Sequence, residues 1–438
     1  MAEDPDSFGD QRRQHEALES LAAVLDVVRH GHAKSRLEIA QRTGLSRAIV
    51  AIRVAELVDL GLLSASGVAP STGGRPPRRL RFVAGAGHVL VADLGATSID
   101  VAAIDLGGEI LRQLAEPADI AAGPETVLAR VEWLFDRLVA EAEVPGPLVG
   151  IGIGLPGPVE FRTGRPIAPP IMPGWDGYPV RERFAARHDV PVWVDNDVNT
   201  MAVGEERHGI ARGHQNMVFV KIGTGIGAGL ISDGQLHRGS QGSAGDVGHI
   251  QVADDRAIVC RCGKIGCLEA VAGGSALARD AEAAARSGRS ERLAAALARG
   301  PVRAEDVAEA AAHGDPVAVE LLERAGRNVG RMLASVVNFF NPSLIVIGGG
   351  VAGAGDVLIA AIREVVYARS LPLATRDLRI ERSALGDRAG VLGAAAIVLD
   401  ELLSAERLEM WGRAPRTPFQ PVEPVASGVG AASLVTAQ

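Results

Sequence analysis

Residues 245–269 contain Gly245-Asp-Val-Gly-His249 and, after ten intervening residues, Cys260-Arg-Cys-Gly-Lys-Ile-Gly-Cys267-Leu-Glu269. No other cysteine occurs in the 438-residue chain. Three cysteines with one histidine make a closed tetrahedral ligand set for Zn²⁺, and the glycines let the chain fold around the ion. An odd, clustered set of cysteines also argues against a disulfide framework. The sequence therefore predicts a structural zinc site formed by His249, Cys260, Cys262 and Cys267.

Three glycine-rich segments each follow an apolar run that is typical of a β-strand. They are Asp93-Leu-Gly-Ala-Thr97, Gly223-Thr-Gly-Ile-Gly-Ala-Gly229 and Ile347-Gly-Gly-Gly-Val351. Residues without Cβ let backbone N–H groups approach phosphate oxygens closely, and Asp93 is placed to hold a Mg²⁺-bound water. One such turn is a weak signal, because glycine turns after strands are common, but the order and spacing of all three are more specific. The third segment suits a flat nucleobase or ribose.

Between the first two glycine segments lies Val194-Asp-Asn-Asp-Val-Asn199, at the end of the predicted strand Val190–Val194. A carboxylate at the end of a strand can take a proton from a sugar hydroxyl during phosphoryl transfer. The alternative interpretation is a turn rich in Asx residues, which is common.

The body of the chain, from residue 85 to 410, alternates short β-rich runs with amphipathic helices. Examples of the strands are Val89–Asp93, Val149–Ile153, Met217–Ile222 and Leu344–Ile347, and a long helix is predicted at Pro316–Asn338. This alternation predicts an α/β architecture. Residues 411–438 lack periodicity and are rich in Pro, Ala, Ser and Val, which predicts a disordered tail.

Residues 1–84 have the pattern of a DNA-binding head. In Leu37-Glu-Ile-Ala-Gln-Arg-Thr-Gly-Leu-Ser46, Gly44 suits a sharp turn between two helices, and Ser46 is a good N-cap for the second. That helix, Arg47 to about Asp59, has Arg47 and Arg53 predicted to face outward, near the end that would enter a major groove. The residues predicted to form its apolar face are Ile49, Val50, Val54, Leu57 and Leu60.

A predicted β-hairpin, Leu62–Ser64 with Leu80–Phe82, follows these helices. Its loop contains Gly73-Gly-Arg-Pro76, a narrow cationic tip that suits a minor groove. The predicted DNA contacts of the head are Ser46, Arg47, Arg53, Arg75, Arg78 and Arg79. The alternative is a helical hairpin with a basic surface loop.

The charge distribution supports one DNA-binding domain on an acidic body. Residues 34–81 contain nine Lys/Arg and three Asp/Glu, a local charge of +6, whereas the whole chain carries −8. The rest of the chain therefore carries −14. The acidic N-terminus and the absence of a long apolar run favour a cytoplasmic protein without a membrane span.

These motifs together resemble the ROK family of repressors and sugar kinases, over roughly residues 35–400. The resemblance implies a winged helix-turn-helix followed by a two-lobed, actin-like (ribonuclease H-like) sugar-kinase fold. It implies Asp197 as the catalytic base position and, as sugar contacts, Asn196, Asp197, Asp246, His249 and Glu269. It also implies nucleotide contacts, if these are retained, at Asp93, Gly95, Thr97, Gly223, Thr224, Gly225, Gly227, Gly348, Gly349 and Gly350.

Three positions depart from the pattern of ROK kinases. Ile171, in Pro170-Ile-Met-Pro-Gly-Trp175, replaces a sugar-binding Asn, Asp246 replaces a Glu, and Ser98 replaces a Lys. An apolar residue at a sugar contact loosens the positioning on which phosphoryl transfer depends.

We therefore expect a sugar-responsive transcriptional regulator, most simply a repressor. It would bind double-stranded operator DNA and a monosaccharide or sugar-phosphate effector as a homodimer or homotetramer. One alternative is an active sugar kinase that uses ATP and Mg²⁺ and has an appended DNA-binding head. Another is a zinc-stabilised module whose helices contact protein.

Overall fold

The computed structural model describes residues 5–68, 78–141 and 144–411. Arg75 and the predicted tip at residues 73–76 lie outside the described residues, as does the predicted tail beyond Trp411. Within the described ranges, no helix combines the length and apolar character needed to cross a bilayer.

The head consists of three helices and a hairpin; the second and third helices and the hairpin lie close to their predicted positions, whereas no bounds were predicted for the first helix. The helices are α1 (Pro5–Arg29), α2 (Arg36–Thr43) and α3 (Arg47–Asp59), and β1 (Leu63–Val68) pairs antiparallel with β2 (Arg78–Phe82). The hydroxyl of Ser35 caps α2 and that of Ser46 caps α3, each by accepting a hydrogen bond from a backbone N–H in the first turn. Gly44 ends α2 with a φ of +72°, a conformation that glycine adopts without strain.

The buried face of α3 is narrower than the sequence predicts. Val50, Val54 and Leu57 are buried, whereas Ile49 is 38% exposed. Ile49 precedes Val50 by one residue and so lies about 100° around the helix from the stripe that the three buried residues form. The prediction that Ile49 belongs to the apolar face is therefore wrong.

The first lobe of the body is built on a five-stranded sheet in the order β5-β4-β3-β6-β9. β3 pairs antiparallel with β4 and β4 with β5, whereas β3–β6 and β6–β9 are parallel. Phe135, Trp175 and Phe184 fill the core between this sheet and its outer helices. The elements of this lobe are β3 (His88–Leu94), β4 (Ser98–Asp105), β5 (Ile110–Pro117), α4 (Pro124–Glu141), β6 (Leu148–Leu155), β7 (Val159–Glu160), β8 (Arg165–Pro166), α5 (Val180–His188) and β9 (Val192–Asn196).

The second lobe repeats this strand order and these strand directions, as β12-β11-β10-β13-β14. Its helices pack on the second sheet over a separate apolar core. The remaining elements of the chain are α6 (Asp197–His208), β10 (Met217–Ile222), β11 (Ile226–Ser232), β12 (Gln235–Leu236), α7 (Leu268–Ala272), α8 (Gly274–Arg286), α9 (Glu291–Arg299), α10 (Ala304–Ala312), α11 (Pro316–Phe340), β13 (Leu344–Gly348), α12 (Asp356–Arg369), α13 (Pro372–Thr375), β14 (Arg379–Arg382), α14 (Arg388–Leu402) and α15 (Ala405–Trp411).

Helices α6 and α14 connect the two lobes. α6 packs on β10 and β11 of the second lobe, and α14 packs on β3 and β6 of the first. The two helices cross at close range, because a Cβ on Gly204 would collide with the backbone of Ala389 and one on Gly393 with the backbone of Thr200. A movement of either helix must therefore be shared by the other.

The head shares its core with the body. Leu21, Val24 and Leu25 of α1 belong to the same buried cluster as Leu402 of α14 and Leu408 of α15. The predicted boundary near residue 84 is thus a change of secondary structure within one continuous core.

Candidate functional site

A cleft of about 300 Å³ opens where β3, β9, β10 and β13 end. All five predicted sugar contacts line it, together with Ile171 and the predicted nucleotide contacts other than Gly348. The apolar Ile171 side chain thus faces the same space as the polar groups, as the departure from the kinase pattern predicts.

Gly348 does not reach the cleft. It is the last residue of β13 and is buried against Phe219, whose ring leaves no room for a Cβ. Gly349, with a φ of +88°, turns the chain out of the strand, and Gly349 and Gly350 then line the cleft. The inclusion of Gly348 among the nucleotide contacts is therefore wrong, because its side of the strand faces the core.

Asp197 is the first residue of α6 and is 3% exposed. Its Oδ2 accepts a hydrogen bond of 2.5 Å from the Nζ of Lys221, which lies near the end of β10. The sequence analysis missed Lys221. Its signal was a lone lysine in the apolar strand Met217–Ile222, directly before a glycine segment. Burial opposes the charge of Lys221, but the carboxylates of Asp197 and Asp93 outweigh this and raise its pKa.

Two further carboxyl groups lie at this end of the cleft. Burial raises the pKa of Asp93 to about 7, and Asp197, Asp100 and Asp387 add to the rise while Lys221 opposes it. Burial and the charge of Asp387 raise the pKa of Asp100 to about 6. Among the described residues, nothing donates a hydrogen bond to the buried Oδ1 of Asp93. That orphaned oxygen fits a cation, but the ammonium of Lys221 already lies among these carboxylates.

Most hydrogen-bonding groups of the Asn196 side chain are used in capping α6 and in fixing the chain before it. Its Oδ1 accepts hydrogen bonds from the backbone N–H groups of Val198 (2.9 Å) and Asn199 (3.3 Å), and its Nδ2 donates to the carbonyl of Gly157 (2.8 Å). One N–H of the amide remains for a ligand. Asn196 therefore first fixes the start of the helix on which Asp197 stands.

A buried network that the sequence analysis missed supports this segment from behind. Asp195 is 3% exposed and accepts hydrogen bonds from Asn199 Nδ2 (2.8 Å) and Arg238 Nε (2.8 Å). The Arg238 guanidinium also stacks on the ring of Phe161 at 3.8 Å. These contacts tie β9 and α6 to the loop after β12.

Close packing explains several of the glycines in the second glycine segment, residues 223–229. A Cβ on Gly227 or Gly229 would press on Val198 of α6, and one on Gly225 would collide with the carboxylate of Glu269. Glu269, in the first turn of α7, accepts a hydrogen bond from the backbone N–H of Ile226 at 3.2 Å. Glycines at these positions therefore bring α6 and Glu269 close to the strand.

His249, Cys260, Cys262 and Cys267 converge as predicted, with their four ligand atoms all within 4.8 Å of one another. The Cys262 and Cys267 sulfurs are 3.8 Å apart, and Cys260 Sγ lies 3.6 Å from His249 Nδ1. A tetrahedral Zn²⁺ with bonds of about 2.3 Å to sulfur requires sulfur–sulfur separations of about 3.8 Å. The donor set and its spacing thus fit a four-coordinate zinc ion.

Burial and the neighbouring thiols of Cys262 and Cys260 raise the pKa of Cys267 to about 12. A divalent ion bound by the cluster would instead favour the thiolate form, because metal binding displaces the thiol proton.

His249 joins the cluster to the cleft. Its Nδ1 faces Cys260, while its Nε2 lies 3.9 Å from Asp246 Oδ1, and both His249 and Asp246 line the cleft. One ring nitrogen therefore faces the cysteine cluster, and the other faces the cleft.

On the head, Ser46 and Arg47 are exposed at the start of α3, and Arg79 is exposed on β2. Arg53 does not face outward as predicted. Its side chain is 18% exposed, and it donates to Ser20 of α1 (2.8 Å) and to Glu56 (2.7 Å), which pins α3 to α1. The side chain of Arg78 lies outside the described residues.

The chain is similar to known regulators over most of its length and to sugar kinases over its body. A model described as "ROK family" matches residues 89–401. The xylose repressor of Caldicellulosiruptor bescii is 32% identical over 384 residues, which are 87% of this chain and 95% of that protein.

Two solved structures share the fold. A ROK family transcriptional regulator, described as a homolog of the E. coli MLC protein, aligns with a TM-score of 0.77 at 28% identity, over 91% of this chain and 99% of its own. A ROK family glucokinase from Streptomyces griseus, in complex with glucose and AMPPNP, aligns with a TM-score of 0.61 at 31% identity. It covers 71% of this chain and 99% of its own. These alignments confirm the predicted α/β, actin-like sugar-kinase fold.

Proposed function

The chain belongs to the ROK family, and from that membership we propose that it is a sugar-responsive, DNA-binding transcriptional repressor. The observation that carries the proposal is the head of α1–α3 and the β1–β2 hairpin, which is built into the same core as the kinase-like body. The family match to residues 89–401 leaves this head outside, whereas the similarity to a xylose repressor extends over 87% of the chain.

The head would bind DNA as a winged helix-turn-helix. α3 begins at an exposed Ser46-Arg47 and presents Ala48, Ala51 and Ile52 outward, so its first turns suit the major groove. The basic hairpin, including Arg79, would contact the backbone or the minor groove. Arg53 holds α3 in place and is left out of the proposed contacts.

The cleft would hold the effector. Asp197, Asp246 and Glu269 offer carboxylate oxygens to sugar hydroxyl groups, Asn196 offers one N–H, and His249 offers its Nε2. Ile171 closes one wall with an apolar surface. We propose that the cluster behind His249 holds a structural Zn²⁺ ion, which would orient the imidazole toward the sugar.

A continuous set of contacts leads from the cleft to the head. α6 begins at Asp197 in the cleft, and near its far end Arg207 donates to Asp400 of α14 at 2.9 Å. Asp400 also lies 3.6 Å from Arg29, the last residue of α1. Closure of the lobes around a sugar would displace α6 and, through Asp400, the base of the head, which changes the affinity for DNA.

We further propose that the protein acts as a homodimer whose two chains pair through an apolar surface on the second lobe. Phe339 of α11 is 93% exposed, Leu371, just before α13, is 70% exposed, and Leu373 of α13 is 75% exposed. The backbone N–H of Leu371 donates to Asn338, which places these side chains next to one another. Large apolar side chains exposed together mark protein interfaces. A pair of heads would then read two half-sites.

The test is binding of the purified protein to duplex DNA from upstream of its own gene, followed by fluorescence anisotropy. We expect specific binding that one monosaccharide changes at least fivefold without MgATP, and that falls steeply with salt. Arg47→Ala should weaken binding at least tenfold, whereas the matched control Arg286→Ala, on the exposed surface of α8, should leave it within twofold. Absence of specific binding, together with sugar-dependent ATP consumption in the same samples, would refute the proposal.

The second candidate is a sugar kinase, and the retention of Asp197 beside the glycine segments favours it. A coupled assay of ADP formation over a sugar panel decides between the two.

A further inference from the structure

We propose that Lys221 separates sugar recognition from phosphoryl transfer in this cleft: its ammonium holds Asp197 in a permanent ion pair, so the effector is an uncharged sugar that is bound and not phosphorylated. The inference rests on the proposed function, because it names the chemical class of the effector of that same site.

Both partners of the ion pair are positioned by regular secondary structure. Lys221 is positioned by the central strand of the second sheet, between β11 and β13, and Asp197 by the first turn of α6. The two side chains are 21% and 4% exposed, and their charged atoms are 2.5 Å apart. Separating such a pair would leave the buried carboxylate of Asp197 without its cation, which is unfavourable. The pair is therefore a fixed feature of the site.

The pair interferes with the role of Asp197 as a base. In phosphoryl transfer the sugar hydroxyl oxygen forms a bond to the γ-phosphorus of ATP, the bond to the β–γ bridging oxygen breaks, and the hydroxyl proton goes to the base. A proton accepted by Asp197 would cancel the charge that balances the buried ammonium of Lys221. The Oδ1 of Asp197 stays available to accept a hydrogen bond from a hydroxyl group, so recognition of the sugar survives.

The charges around the pair also disfavour an anionic ligand. The acidic side chains that line the cleft are Asp93, Asp100, Asp197, Asp246, Glu269, Glu305 and Asp387. Lys221 is the single lysine or arginine among the described lining residues, and its ammonium is already engaged by Asp197. A sugar phosphate would bring further negative charge without a free cation to receive it.

The first measurement compares ligands on the full-length, zinc-loaded protein without DNA. Isothermal titration calorimetry with D-glucose, D-xylose and glucose 6-phosphate should show one of the neutral sugars binding at least 100-fold more tightly than the phosphate. Tighter binding of glucose 6-phosphate than of either sugar would overturn the proposal.

The second measurement compares ATP turnover in three proteins with the same sugars. Lys221→Met removes the charge and keeps the length of the side chain, so sugar-dependent ADP formation should rise at least tenfold over the natural protein. Lys221→Arg keeps the charge and should show no such gain in turnover. A rate in Lys221→Met that is unchanged or lower refutes the proposed role of Lys221.

Two controls keep these outcomes interpretable. Lys221→Met/Asp197→Asn removes both charges, should fold like the natural protein by circular dichroism, and should lose the gained turnover, since the base is absent. If Lys221→Met itself unfolds, Lys221→Gln replaces it with the same expected gain and the same refuting result. A failure of DNA binding to respond to sugar would count against the proposed repressor function alone, because neither measurement contains DNA.

Discussion

Replacement of Asp93 by asparagine should change the way stability depends on pH. Burial first, and then the charges of Asp197, Asp100 and Asp387, raise the pKa of Asp93 to about 7 in the folded protein, against 3.8 for an ordinary aspartate. Between these two values the folded state holds a proton that the unfolded state has released. The stabilising contribution is therefore complete below about pH 4 and is lost as the pH rises through 7.

The magnitude follows from the same shift. From pH 5 up to the folded-state pKa of about 7, the unfolding free energy of the natural protein falls by about 1.4 kcal/mol for each pH unit. Between pH 5 and pH 8 the total loss is therefore roughly 2–3 kcal/mol. The amide of Asp93→Asn does not titrate. The variant should therefore become more stable relative to the natural protein by about this amount as the pH rises from 5 to 8.

The assay is urea unfolding at both pH values, with tryptophan fluorescence as the probe. Trp175 and Trp193 are buried in the lobe that contains Asp93, so their emission reports on this lobe. Comparison of the variant with the natural protein at each pH cancels the titration of groups that do not interact with Asp93, including the His249 and cysteine cluster. The exposed Asp59→Asn serves as the control and should show a constant difference. A constant difference for Asp93→Asn, within about 0.5 kcal/mol, would refute the reasoning.

Three further outcomes are expected. Cys262→Ser, which removes one of four converging ligands, should reduce bound zinc from one ion per chain to nearly none by elemental analysis and should lower the melting temperature. Asp400→Asn weakens the ion pairs with Arg207 and Arg29, so it should reduce the sugar response of DNA affinity at least threefold. Sugar affinity, measured by calorimetry, should stay within twofold. An unchanged response of DNA affinity would exclude coupling through Asp400. Ile52 is 54% exposed on α3 and is placed to contact thymine methyl groups in the major groove. Replacing thymine by uracil in the bound DNA should weaken binding about fourfold for each methyl group that Ile52 contacts, since a buried methyl group is worth about 0.8 kcal/mol. Ile52→Ala should reduce this effect of the uracil substitution.

The fold and most of the cleft could be predicted from the sequence because their signals are local. Ser46 indicates a helix start and Gly44 a turn by their own chemistry, and the four residues of the histidine and cysteine cluster lie within one short segment. Glycine segments at strand ends bring their neighbours to one edge whatever the details of packing. Gly348 was placed wrongly because a run of glycines does not show where a strand ends.

The remaining features depend on contacts between distant parts of the chain. The residues around Arg53 in the sequence are those expected around an exposed arginine. Its side chain turns inward because it donates a hydrogen bond to Ser20 of α1, which is distant in sequence. The partner of Lys221 lies 24 residues earlier, on a helix of its own. Neither pairing has a motif, so both had to come from the structure.

The common core of head and body sets a limit on how such a regulator can be recombined. A cut at residue 84 would strip α1 from α14 and α15 and leave Leu402 and Leu408 facing water. Chimeric sensors that graft this head onto another effector-binding body therefore need to carry α15 and the end of α14 with it, or to redesign that surface as polar. Natural exchange of heads between family members would expose the same apolar surface. The head and the C-terminal helices should therefore be inherited together.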